Sequence, residues 1–202
     1  LSQAIKWGIL PNPEIRVYYI TPTTEETRAL LKIEKDIEYR KTQAVSWDPP
    51  DWHALTALRL GLKRKKLFDK IKSRTYAYIE SLVYDKRRIY FWGSVSDHPG
   101  MYSSKDPKSK IYFNDFVEGK TDKLHAVEML TRGINLPEIE VGVLMTLQKT
   151  TRNSLQKIGR ILRSDTPLIF IPCVKGTDDE KTLNKFLSTY TGTITYESIH
   201  TR

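Results

Sequence analysis

Apolar and polar positions change period along the chain, and the changes mark its elements. Ile15 to Ile20 (IRVYYI) is a continuous β-branched and aromatic run, which predicts a strand. Thr21-Pro22-Thr23-Thr24-Glu25-Glu26 supplies a threonine cap and an acidic first turn, so a helix is predicted to start there. Leu30, Leu31, Ile33 and Ile37 carry that helix to about Tyr39, and Gln43 to Trp52, with Pro49-Pro50, reads as a loop. His53 to Tyr84 is helical by the recurrence of Leu55, Leu58, Leu62, Leu67, Ile71, Tyr78 and Leu82, with a break expected near Gly61. From Arg88 onward short apolar runs alternate with helical segments. Ile89–Trp92 (ending in Gly93-Ser94), Lys123–Val127, Val141–Leu147, Leu168–Val174 and Thr193–Ser198 read as strands. Between them, helices are expected at Lys110–Phe116 (closed by Gly119), at Asn153–Arg163, and from the Thr177-Asp178-Asp179-Glu180 cap to Leu187. Strand–helix alternation of this kind predicts an α/β domain with a mainly parallel sheet.

Composition narrows the class. At 202 residues, 39% hydrophobic and 28% charged, the chain can bury a core without disulfide or metal staples. One cysteine, Cys173, excludes an internal disulfide and a multi-cysteine zinc site, and its apolar strand predicts a buried, inert thiol. No apolar run is long enough to cross a membrane, and Leu1-Ser2-Gln3 does not begin a signal peptide. The net charge of +9 fits a polyanion partner, most simply nucleic acid, and equally a merely basic soluble protein. The run Lys63-Arg64-Lys65-Lys66 fits a solvated helix face or a phosphate contact. His53, His98, His125 and His200 show no ligand spacing, and His125 is expected in the core. Trp7, Trp47, Trp52 and Trp92 are expected to pack, with Trp92 the best candidate to stack on a base instead.

The candidate chemistry lies between Thr131 and Arg163. Gln156, Arg160 and Arg163 share one helix face at i, i+4, i+7, while Leu155, Ile158 and Leu162 share another. Two guanidiniums on a short rigid element can fork onto phosphate oxygens. The same residues also suit an ordinary amphipathic helix opened by an Asn153 capping box. Asp178-Asp179-Glu180 reads as a helix cap rather than a metal site, so no metal ligands are assigned.

Gln156-x-x-Gly159-Arg160-x-x-Arg163 resembles motif VI of the superfamily 2 helicases, and Thr131-Arg132-Gly133-Ile134-Asn135-Leu136-Pro137 resembles their motif V. Arg88 to Ser94 is similar to motif IV, and Phe113 to Lys120 is similar to the segment that precedes the motif V strand. Ala4 to Pro11 resembles the linker leaving a first motor domain. The resemblance implies an α/β, RecA-like three-layer second motor domain carrying a helical insertion. Its parts would be a linker and first strand (1–20), a helical insertion or extension (21–87) and the RecA-like domain proper (88–202). It implies Arg163 as arginine finger, Arg160 on the γ-phosphate and Gln156 orienting the nucleotide. Gly133 and Asn135 would line the ribose and metal side of the cleft. Ser94, Ser103, Lys105 and Thr131 would lie along the nucleic-acid backbone, with DNA preferred to RNA. The chain departs from the family at Asn135, where Asp is usual, at Val127, where many members have Thr, and in the short Val95–Gly100 segment.

No phosphate loop of the Gly-x-x-x-x-Gly-Lys-Ser/Thr form occurs. The expectation is therefore a cytoplasmic, bacterial or phage-type helicase or translocase. Its ATP and Mg2+ would be bound mainly by an N-terminal motor domain of the same parent chain, with no membrane partner. The alternatives are a non-enzymatic nucleic-acid-binding module of the same fold and a protein-interaction domain.

Overall fold

A computed structural model describes residues 12–44, 51–94, 100–103, 106–127, 137–147, 164–188, 190 and 192–199. The strands are β1 (Glu14–Ile20), β2 (Arg88–Trp92), β3 (Met101–Ser103), β4 (Lys123–Val127), β5 (Val141–Leu144), β6 (Leu168–Val174) and β7 (Ile194–Ile199). They form one sheet of seven strands in the order β3-β4-β2-β5-β6-β1-β7, and every pairing is parallel. The helices are α1 (Thr24–Ala44), α2 (Asp51–Lys72), α3 (Tyr76–Val83), α4 (Lys110–Val117) and α5 (Asp178–Leu187), with a 3-10 turn, Ser73–Thr75, between α2 and α3. None of the described helices is long and apolar enough to cross a membrane.

A parallel sheet is covered on both faces, so its strands carry continuous apolar runs. β2 and β5 are buried at every position, and β6 at all but its first. Alternate side chains divide into two cores. Ile15, Val17, Ile89, Phe91, Leu124, Ala126, Ile169 and Ile171 meet Phe116 of α4 and Leu183, Phe186 and Leu187 of α5. Tyr18, Tyr90, Trp92, Val141, Val143 and Phe170 meet Ile79 and Val83 of α3. Each such side chain contributes about 1.5–3 kcal/mol on leaving water. The result is a three-layer α/β sandwich, with the parallel sheet expected from the strand–helix alternation.

Local chemistry sets the helix ends. Thr23 and Glu26 form a reciprocal capping box at α1: Glu26 N–H donates to Thr23 Oγ1 (3.2 Å), and Thr23 N–H donates to Glu26 Oε2 (2.8 Å). Thr177 caps α5 by accepting from Asp179 N–H. Gly119 closes α4 at φ +76°, a left-handed conformation that costs glycine little.

Four expectations need correction. α2 runs unbroken through Gly61, and the break falls at Ser73–Thr75 instead. One glycine costs a helix only about 1 kcal/mol, less than the tertiary packing that holds this one returns. The helical period was legible but not its inward face: Leu55, Leu58 and Leu62 are exposed, while Phe68 and Ile71 are buried. The run from Val141 ends as a strand at Leu144 rather than at Leu147. Trp92, the candidate for base stacking, is 1% exposed. Its indole N–H donates to His125 Nδ1 at 3.0 Å. An indole nitrogen only donates, so His125 accepts there and presents Nε2 to the Tyr76 hydroxyl at 3.3 Å. His125 is thus a core residue, as expected, stacked on Tyr90.

Candidate functional site

In an open parallel sheet, ligands collect beyond the carboxyl ends of the strands, where the chain leaves one strand to one side and later crosses to the other. Here that strand is β2: the chain continues to β3 and β4 on one side and returns to β5 and β6 on the other. The segments that resemble motifs V and VI come after β4 and β5 in the sequence, and the carboxyl ends of these two strands flank that of β2. Thr131, Gly133, Asn135, Gln156, Arg160, Arg163 and Lys105 lie outside the described residues. Ser94 and Ser103 lie within them.

The edge itself is built around two buried charges of α2. Asp69 is 3% exposed and sits between the ends of β2 and β5. Its Oδ2 accepts a hydrogen bond from the Ser94 hydroxyl. Its Oδ1 accepts from Thr146 Oγ1 (3.2 Å) and from Gly93 N–H (3.4 Å). A glycine is required beside it, because a Cβ on Gly93 would stand 2.5 Å from Thr146 Oγ1. Burial pushes the Asp69 carboxyl up from its ordinary value, against the pull of Ser94, Gly93, the Lys72 charge and Thr146. In this arrangement the Ser94 proton is committed to Asp69.

Lys72, one turn further, is 1% exposed. Its ammonium stands 2.8 and 2.9 Å from the two carboxylate oxygens of Asp179 and donates to the Met145 carbonyl at 2.8 Å. Asp179 Oδ2 also accepts from Val174 N–H at 2.9 Å. One ion pair therefore ties α2 to the ends of β5 and β6 and to the first turn of α5. Ser103, on the edge strand, is held through its backbone: its N–H donates to Ser109 Oγ (3.0 Å), which donates back to the Ser103 carbonyl (2.9 Å).

Asp69, Lys72 and Thr146 were not singled out in the sequence, and Asp179 only as part of the helix cap that opens α5. The signal was present: Phe68-Asp69 and Ile71-Lys72 place two charges beside the apolar positions that face the core, and a charge there requires a partner. Among the described residues, no three His, Cys, Asp or Glu side chains converge to hold a metal.

Against known proteins, residues 101–165 match the model of the helicase conserved C-terminal domain. Over 84 residues, 40% of this chain, it is 35% identical to Rv2917, an uncharacterized protein of Mycobacterium tuberculosis, and 34% identical to the uncharacterized protein ML1624 of Mycobacterium leprae. The match spans 14% of those relatives' length. Among solved structures, the C-terminal part of the Fun30 ATPase domain aligns with a TM-score of 0.56 at 10% identity, over 87% of this chain and 89% of that one. The yeast DEAD-box splicing factor Prp28 aligns with a TM-score of 0.54 at 12% identity, over 90% of this chain and 34% of its own. Dbp5 of S. cerevisiae, solved bound to RNA and ADP BeF3, aligns with a TM-score of 0.52 at 16% identity, over 64% of this chain and 39% of its own.

Proposed function

Taking the chain as a C-terminal RecA-like domain of the superfamily 2 helicases, we propose that it is the second motor domain of a nucleic-acid-dependent ATPase, completed by an N-terminal motor domain of the same protein. One observation carries the reading. The helicase C-terminal match at 101–165 contains both the arginine-bearing and the glycine-bearing motif segments, which come in sequence after β4 and β5, the strands that flank β2 in the parallel sheet.

On this reading the N-terminal domain binds ATP and Mg2+, and this chain supplies charge across the cleft. Arg163 neutralises charge developing on the transferring phosphoryl group, Arg160 holds the γ-phosphate and Gln156 orients the nucleotide. Gly133 and Asn135 face the ribose. Ser94, Ser103, Lys105 and Thr131 follow the nucleic-acid backbone. Ser94 can take that role only by exchanging its bond to Asp69 for one to phosphate, since a hydroxyl has one proton to donate.

The deciding experiment is nucleic-acid-stimulated ATP hydrolysis by the full natural chain. Arg163→Ala should lower turnover by roughly 10³-fold or more while leaving nucleic-acid binding in place. Unchanged turnover would remove Arg163 from the finger role.

A further inference from the structure

The charge run that the motor motifs leave unused lies on α2. This helix carries seven Lys and Arg against two Asp, an excess of five positive charges in a chain whose net charge is +9. Six of them divide by direction, and the seventh, Lys65, is exposed beside the row that four of the others form. Lys72 turns inward to Asp179, and Arg64 faces Glu34 at 3.9 Å and Asp178 at 3.6 Å. Arg59, Lys63, Lys66 and Lys70 recur every three or four residues, so they form one row, and all four are exposed. Among the described residues none of the four joins an ion pair. The only acids of α2 are Asp51, at its first position, and Asp69, which is buried. The row therefore carries its charge uncompensated along the helix.

The row is also fixed in place. Its last member, Lys70, stands between Asp69 and Lys72, the residues that bind α2 to the ends of β2, β5 and β6. A rigid line of cations about 16 Å long thus continues outward from the edge at which β2 ends. On a duplex, that length matches the axial rise of about four or five phosphates of one strand.

We infer that Arg59, Lys63, Lys66 and Lys70 form a phosphate-backbone binding row that extends the nucleic-acid track beyond the motor motifs, without reading base sequence. The inference rests on the motor reading for its choice of polyanion. The row neutralises phosphates and releases counterions, so it sets affinity and its salt dependence rather than sequence preference. The neighbouring exposed Leu55, Leu58 and Leu62 make an anionic lipid surface the competing occupant.

The test is equilibrium binding of the full natural chain, without ATP, to a fluorescent single-stranded oligonucleotide and to a duplex across a salt series. The Lys63→Gln, Lys66→Gln, Lys70→Gln triple variant should weaken binding about 10-fold or more at low salt. It should also lower the slope of log K against log salt by about two to three, and the single Lys63→Gln variant by just under one. Thermal unfolding matched to the unsubstituted chain excludes misfolding as the cause. An unchanged slope on both nucleic acids overturns the inference. So does loss of binding to phosphatidylserine vesicles with the nucleic-acid slope intact. Because the slope is read without ATP, the two readings fail separately: absence of nucleic-acid-stimulated ATP hydrolysis by the full natural chain would sink the motor reading and leave the salt slope to decide this one, and an unchanged slope would overturn this one and leave the ATPase result untouched.

Discussion

The two ends of the sheet each hold a carboxylate, half-buried Glu80 at one and buried Asp69 at the other, and they hold it in opposite ways. At the amino ends of β2 and β4, Glu80 of α3 accepts a bidentate fork from Arg88 (2.7 and 3.0 Å), the Tyr90 hydroxyl (2.6 Å) and the Lys123 ammonium (3.0 Å). Burial pushes the Glu80 carboxyl up, but hydrogen bonds from Arg88, Tyr90 and Lys123 and the Arg88 charge outweigh it and hold it at about 2. At the carboxyl ends, Asp69 receives only neutral donors, while the nearby Lys72 ammonium is spent on Asp179. Burial wins there, and the Asp69 carboxyl is pushed up. The amino end is held by charge, between Glu80 and Arg88 within a short stretch and with Lys123 added from the neighbouring strand. The carboxyl end is held by contacts between residues as far apart in the chain as Lys72 and Asp179. Strong local charge suits an end that only has to hold. Exchangeable neutral bonds suit an end where Ser94 and its neighbours would meet a ligand.

Removing Lys72 tests the contrast hardest. Lys72→Met leaves Asp179 without its partner and the Met145 carbonyl without a donor, and should cost about 3–5 kcal/mol in urea unfolding. Hydrogen exchange should then quicken in α1 and α2 before it does in β2 and β4. Uniform loss of protection would mean that the pair is part of a single cooperative core rather than a local bolt. Glu80→Gln should cost less, about 2–3 kcal/mol, because Arg88 keeps the Tyr84 and Lys86 carbonyls as acceptors. A cost no greater than that of an ordinary surface substitution would contradict the charge-held amino end.

The pH response separates the ends next. The folded Glu80 value of about 2 lies below the ordinary 4.5, so the unfolded chain takes up that proton first. Its contribution is full above about pH 4.5 and is lost as pH falls toward 2, about 1–2 kcal/mol after allowance for water screening. Glu80→Gln should flatten that acid slope. Asp69 has the opposite sign: its folded value is raised, so the folded chain takes up the proton first. Asp69 therefore adds stability as pH falls into the carboxylate range, and that gain is lost as pH rises through the folded value. Asp69→Asn should be the mildest change, within about 1 kcal/mol at neutral pH, and should remove the acid-side gain. A loss of several kcal/mol at neutral pH would show that the carboxyl end depends on charge as the amino end does.

The sequence disclosed elements better than partners. The runs at Ile15, Ile89, Leu124, Val141 and Leu168 are dominated by apolar residues, with Arg16 and His125 the polar interruptions, and each is a strand. The Thr23 and Thr177 caps were visible because a cap is a local hydrogen bond. Direction was not visible. Leu58 and Phe68 sit on the same helix and are similarly apolar, but only the tertiary fold decides that Phe68 faces inward. The Asp69–Thr146 and Lys72–Asp179 contacts join residues whose meeting depends on strand order, which no local pattern encodes. Trp92 was the best candidate platform among the tryptophans, and its partner could not be read from its own strand. The one acceptor its N–H needed, His125, lies on the neighbouring strand.

The strand order also constrains how the chain can be made. β1 lies between β6 and β7, pairing Glu14 with Leu168 and Ile15 with Ile194. During synthesis the first strand therefore emerges without either neighbour, and both of its edges wait until most of the chain has been translated. Ile15, Val17, Tyr18 and Ile20, all fully buried at the end, are exposed to other chains through that interval. Helices α1 and α2 can form meanwhile from local contacts alone, and closing the sheet around β1 becomes the late, slow step of folding.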